Sequence, residues 1–152
     1  MGRCFLSKRE TREILGKLER LGFQGKLSGG MEKIKLKGKT VFLHEGKPLC
    51  FEEEGRLFPA LTASELFQLR KVVVDMGAVP HIVNGANVMA PGIVRMDPLK
   101  EGEEVLVVDE KYGKPIAVGL STVSGEKPER GVVVRNVHHL GDEVWKIGLK
   151  SR

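Results

Sequence analysis

The sequence predicts an α+β unit over residues 1–70, followed over residues 71–152 by a mainly β, barrel-like unit with one or two short helices. Three observations carry this. A capped amphipathic helix opens the chain, and period-two apolar segments separated by glycine turns follow it. Beyond residue 70, five or six short apolar strands alternate with Gly, Pro and charged residues, the pattern of a sheet that closes on itself. At 152 residues and 41% hydrophobic composition, the chain can bury one ordinary core or two small ones.

Ser7-Lys-Arg-Glu10 has capping-box spacing, so a helix should begin there. Ile14, Leu15, Leu18 and Leu21 supply its apolar stripe, Arg9, Arg12, Glu13, Lys17, Glu19 and Arg20 its other faces, and Gly22 its left-handed stop. Gly16 lies inside this helix and costs about 1 kcal/mol against alanine. After the Gly29-Gly30 turn, Lys33-Ile-Lys-Leu-Lys37 alternates with period two, placing Ile34 and Leu36 inward and Lys33, Lys35 and Lys37 on one outward face. At about 6.6 Å between alternate residues, such a row suits two roles: following a nucleic-acid backbone, or protecting an edge strand from aggregation. Strands follow at Val41–His44 and Pro48–Glu52, joined by a turn at Glu45-Gly46-Lys47. Phe58-Pro-Ala-Leu61 leads to Thr62-Ala-Ser-Glu65, a second capping-box spacing that opens a short helix ending near Arg70.

Val72–Asp75 begins the second unit as a buried strand. Asp75 caps the helix that follows, and Pro80 is tolerated because it falls in the first turn. Gly85 ends that helix. Strands are expected at Glu104–Val108, Ile116–Ser121, Val132–Val137 and Val144–Ile147. Val88 and Met89 alternate across a strand, so one of them belongs to the core. Trp145 on the closing strand is read as core, with base stacking as the alternative. His138 and His139, being adjacent, point to opposite faces and cannot form a two-ligand metal clamp within one strand.

The formal charge of +5 is unevenly placed: +7 over residues 1–39, −3 over 40–69 and +1 over 70–152. A basic N-terminal surface is compatible with phosphate-backbone binding and with solubility alone. Cys4 and Cys50 belong to no metal-ligand spacing, which points to reduced thiols in a cytoplasmic protein with no metal or cofactor. No apolar run approaches the roughly 18 residues of a membrane span. Charged residues at 30% beside two Gln and three Asn lean towards a thermophile.

The chain lacks the phosphate-binding Gly-x-x-x-x-Gly-Lys-Ser/Thr, the Gly-x-Ser-x-Gly elbow and His-Glu-x-x-His. His44 and Cys50 have no evident third partner for nucleophilic chemistry, so no catalysis is expected. Around Asn84-Gly-Ala-Asn87 the small residues either expose backbone amides to a sugar-phosphate chain or serve only as a helix stop and tight packing.

Gly77-Ala-Val-Pro-His-Ile-Val-Asn-Gly-Ala-Asn-Val-Met-Ala-Pro-Gly-Ile93 resembles the signature of the PUA domain, an RNA-binding module; the resemblance continues through Gly102–Val108, Pro115–Gly119, Gly131–His138 and Gly141-Asp-Glu-Val-Trp145. With Gly-Arg-Leu-Phe-Pro-Ala-Leu61 closing the first unit, the order of modules is similar to the malignant T-cell amplified sequence family and its archaeal relatives, with a pre-PUA domain followed by a PUA pseudo-barrel. The resemblance implies a non-catalytic protein of translation that binds structured RNA, tRNA or rRNA, with the small ribosomal subunit and a translation factor as partners in initiation, reinitiation or recycling. An interaction adaptor, with Glu52-Glu-Glu54 as one docking face, or an accessory subunit of an RNA-modification enzyme are the alternatives. Carried onto this chain, the family's RNA surface falls on Gly77, Ala78, His81, Gly85, Ala86, Asn87, Val88, Met89, Pro91 and Gly92, with Arg95, Arg135 and Lys146 as phosphate contacts beside the Lys33, Lys35 and Lys37 row. Aromatics at 5% argue against a stacking platform and favour backbone and shape recognition.

Overall fold

A computed structural model describes residues 2–150. In chain order the elements are β1 (Arg3–Phe5), α1 (Lys8–Arg20), β2 (Met31–Leu36), β3 (Lys39–His44), β4 (Lys47–Glu53), β5 (Arg56–Pro59), a 3-10 helix (Leu61–Leu66), β6 (Arg70–Val74), α2 (Val79–Ile82), β7 (Val88–Met89), a 3-10 turn (Ala90–Gly92), β8 (Ile93–Met96), β9 (Glu104–Asp109), β10 (Pro115–Ser121), β11 (Val132–His139) and α3 (Glu143–Lys150). They form two compact units: residues up to Gln68 together with the segment from Glu143 onward, and Leu69–Asp142.

The first unit carries a five-stranded antiparallel sheet in the order β1-β2-β3-β4-β5. Two of its hairpins turn on Glu45-Gly46 and Glu54-Gly55, where φ is positive at both central residues. This is the turn geometry whose twist matches that of the flanking strands. The Ser7 hydroxyl accepts from the Glu10 amide and the Glu10 carboxylate accepts from the Ser7 amide, so the capping box at the start of α1 is complete. Ile14, Leu18 and Leu21 are buried together with Met31, Val41, Leu43, Phe51 and Phe58. Cys50 is also buried, and burial pushes its thiol pKa up.

Several local expectations are corrected here. The spacing at Thr62–Glu65 forms no capping box: the Thr62 hydroxyl instead donates to the Pro48 carbonyl at 2.8 Å, and the helix is a 3-10 segment ending at Leu66. β2 is not an edge strand, because β1 pairs with it from Arg3↔Ile34 to Phe5↔Glu32. Lys37 falls in the turn after β2 rather than in the strand. Val144–Ile147 is not a strand but part of α3, and it belongs to the first unit rather than closing the second. There α3 packs on β4 and the 3-10 helix, with Gly148 close against Pro48 and Thr62. Trp145 lies half-buried on this helix.

The second unit is a six-stranded sheet in the order β7-β11-β10-β9-β6-β8. Its two outermost strands, β7 and β8, are consecutive in sequence and separated only by Ala90–Gly92, so one short turn brings the edges of the sheet together. The Ala90 amide donates to the Gly131 carbonyl and the Asp75 amide to the Gly92 carbonyl, both at 2.9 Å, tying the turn to the strands on either side. Sheet closure in this way removes exposed edges. Val72, Val74, Ile82, Val88, Ala90, Ile93, Val105, Val107 and Ile116 fill the interior.

Candidate nucleic-acid interface

The signature segment runs across the β7–β8 seam of the second unit. At its start the Asp75 carboxylate accepts from the Ala78 amide at 2.8 Å, holding the Met76–Ala78 turn before α2. Pro80 sits in the first turn of that helix. A Cβ on Gly92 would stand 3.1 Å from the Ala78 Cβ, so a glycine at this point lets the turn before α2 and the turn after β7 approach each other closely. Gly85 has φ +100° and reverses the chain after α2.

Asn136 of β11 then fixes the reversed segment. Its Nδ2 donates to the carbonyls of Ile82 and Ala86, each at 2.9 Å, and its backbone amide donates to Asn87 Oδ1 at 3.0 Å. The buried Oδ1 of Asn136 has no partner among the described residues. One side chain therefore spans the ends of the turn, as a single strand residue reaching two carbonyls roughly fifty positions upstream. Asn136 is not among the residues nominated from the sequence; an asparagine inside the apolar run Val132-Val-Val-Arg-Asn-Val137 is the signal that marks it.

Gly77, His81, Gly85, Ala86, Asn87, Met89 and Pro91 are exposed on this surface, with Ala78 and Gly92 half-buried. Val88 is corrected: at 1% exposure it is core and its side chain is not available to a ligand, while its neighbour Met89 is 46% exposed. Met89 stands opposite the exposed Val132 across β7 and β11, an apolar addition that the sequence did not reveal. Arg95 on β8 and Arg135 on β11 are exposed, and neither makes an ion pair among the described residues. The backbone supplies small residues and open chain at the centre of this surface, with guanidinium groups on neighbouring strands.

Other nominated residues are not brought together with it. Lys146 lies on α3, in the first unit. Lys33, Lys35 and Lys37 are in the first unit too and do not form one free row: Lys33 donates to Glu10 at 2.7 Å across a groove between α1 and the sheet, and of the three Lys35 alone is both in the strand and exposed. The Lys33 ammonium holds the Glu10 carboxyl down to about 2, and Glu10 in turn raises the Lys33 pKa. Lys17 bridges the same groove to Glu52 at 3.1 Å.

Three of the histidines have structural partners. His138 is buried with Nδ1 2.8 Å from the Asp142 carboxylate, and His139 Nδ1 lies 2.9 Å from the Leu140 carbonyl. His44 Nε2 lies 2.8 Å from the Ser28 carbonyl.

Comparison with known proteins gives a PUA domain over residues 70–140 and the Domain of unknown function DUF1947 over residues 2–64. The uncharacterized protein MJ1432 of Methanocaldococcus jannaschii is 34% identical over 154 aligned positions, covering 94% of each chain. Translation machinery-associated protein 20 of Schizosaccharomyces pombe is 36% identical over 88 residues, 53% of this chain and 49% of the relative. Malignant T-cell-amplified sequence 1 of Danio rerio is 31% identical over 110 residues, 66% of this chain and 61% of the relative. A crystal structure of a hypothetical protein from Pyrococcus horikoshii superposes with a TM-score of 0.83 at 34% identity, covering 97% of this chain and 99% of the other.

Proposed function

This chain belongs to the family of PUA-domain proteins with a DUF1947 domain in front, related to the malignant T-cell-amplified sequence and translation machinery-associated proteins, and on that premise we propose that it is a non-catalytic RNA-binding protein of translation. It takes structured tRNA or rRNA on the α2–β7 surface, and a ribosomal subunit and a translation factor are its partners in the cytoplasm. The observation that carries this reading is the Asn136-held turn, which presents Gly85, Ala86 and Asn87 as exposed chain, with the exposed Arg135 next to Asn136 along β11. The Asn84, Gly85 and Ala86 amides are spent on the carbonyls of His81 and Ile82, so it is the small side chains that allow close approach of a sugar-phosphate chain, and an exposed guanidinium supplies charge-assisted, salt-sensitive attraction. The shallow surface suits a stem end or unpaired strand, because a duplex groove demands a projecting helix or ribbon. The relatives' names support the translation setting.

The test is Ala86→Glu, which adds bulk and negative charge where phosphate is proposed to sit. Since Ala86 is exposed, the variant should melt within a degree or two of wild type while filter-binding affinity for total tRNA and rRNA falls at least about tenfold, a loss of roughly 1.4 kcal/mol. A stable variant with native affinity removes the site from consideration.

A further inference from the structure

From the outward face of α1 we infer a second contact for the RNA phosphodiester backbone, separate from the α2–β7 surface and resting on the RNA-binding reading above. At 3.6 residues per turn, Arg9, Arg12, Gly16 and Arg20 fall within roughly 80° of arc on the helix, and all four are exposed. Two cross-groove bonds, Lys33 to Glu10 and Lys17 to Glu52, draw Glu10 and Lys17 towards the sheet and leave the arginines, with Lys8 at the helix start, as the cations on the solvent side. Glu13 and Glu19 flank this face. The single pair it contains, Arg9 with Glu13, is 3.9 Å long between side chains 90% and 67% exposed, a geometry that yields readily to a competing phosphate. Arg12 and Arg20 make no ion pair among the described residues.

Gly16 supplies the second, independent observation. It sits in the middle of a 13-residue helix, where glycine is the poorest ordinary choice. Nothing in the fold requires it: its backbone is ordinary right-handed helix, and a Cβ there would meet no heavy atom within 4 Å. A residue that weakens the helix without easing any internal contact leaves open space over the backbone between three guanidinium groups. That space admits a phosphate-sugar chain against the helix barrel, with the arginines donating to its oxygens.

The experiment uses the full chain with total tRNA as probe. Changing Arg9, Arg12 and Arg20 together to Gln should lower the slope of log affinity against log salt by about 2 to 3, at roughly 0.7–0.9 per phosphate released. Gly16→Gln should raise the melting temperature, because Gln is the better helix former, and still bind RNA at least several-fold more weakly. Lys100→Gln, at an exposed lysine that belongs to neither proposed surface, serves as the charge control and should leave the slope unchanged. An unchanged slope in the triple variant, or native affinity in Gly16→Gln, overturns the inference; it would leave the helix face to an acidic protein partner or to solvent. If Ala86→Glu abolishes binding while the triple variant keeps the native slope, the RNA-binding reading stands and this one falls. Absence of RNA binding by the wild-type chain at low salt overturns both.

Discussion

Asn136→Ala tests whether one side chain holds the proposed recognition turn. The substitution deletes two Nδ2 donations, to Ile82 and Ala86, each worth about 0.5–1.5 kcal/mol net. Against that, it also removes Oδ1, a buried acceptor without a partner among the described residues, whose burial costs about 1–3 kcal/mol. The two terms nearly offset, and the packing lost with the side chain tips the balance to a small loss of global stability, at most about 2 kcal/mol. The local effect should be larger, because the Ala86 carbonyl is left to water and the turn is then tied to β11 by Asn87 Oδ1, with the Asn84, Gly85 and Ala86 amides still bonded to the carbonyls of His81 and Ile82. Asn136→Asp keeps the shape but sets a carboxylate against two carbonyls, and should cost about 3 kcal/mol or more. Urea titration gives the global values, and amide hydrogen exchange at Gly85 and Ala86 gives the local ones. The expected order of stability is wild type, then Asn136→Ala, then Asn136→Asp, with exchange at both amides accelerated in each variant. If Asn136→Asp were as stable as Asn136→Ala, or if exchange at Gly85 and Ala86 were unchanged, the turn would be held by something else.

Gly119→Ala should be among the most damaging single methyl additions in the second unit, since its Cβ would lie 2.6 Å from Val134 Cγ1 and closer still to the Arg135 carbonyl, at the bulge where β10 meets β11; a loss above about 3 kcal/mol by chemical denaturation is expected. Glu10→Gln tests the α1 groove through pH. The Lys33 ammonium, helped by the Ser7 amide, lowers the Glu10 pKa from 4.5 to about 2, so the carboxylate contributes stability that is fully present above about 4.5 and is lost as pH falls through about 2. The denaturation midpoints of wild type and Glu10→Gln should therefore differ at pH 7 and converge as pH falls from 4.5 towards 2; a constant difference across that window refutes the pairing.

What was legible in the sequence was local chemistry. Ser7 and Glu10 form their capping box because both partners lie within four residues and nothing else competes for the serine. Thr62 and Glu65 have the same spacing, yet the Thr62 hydroxyl is claimed by Pro48 from a different element, a tertiary choice invisible to spacing. Val144-Trp-Lys-Ile147 is too short for its periodicity to separate strand from helix; the buried pair Val144 and Ile147, three apart, is the helical face. The lysine row misled for a related reason. Whether β2 is an edge depends on β1, three exposed residues with no apolar alternation to announce them. At the candidate surface the glycine and alanine positions were readable from the signature, and Val88 against Met89 reduced to one alternative of two. Asn136 was not, because its significance lies in carbonyls about fifty residues away.

The return of α3 to the first unit has a consequence for how the protein is made. The residues that pack against Pro48 and Thr62 are translated after the whole of the second unit, so the first unit cannot be completed when its own strands have emerged. It must wait for all of Leu69–Asp142, roughly 4 to 15 s at about 5–20 residues per second. Every strand of the second unit, by contrast, precedes that helix, so its sheet can be complete once β11 has emerged. Synthesis therefore finishes the barrel first and the N-terminal unit second, with the surface of β4 and the 3-10 helix at Pro48 and Thr62 open to chaperones throughout the interval.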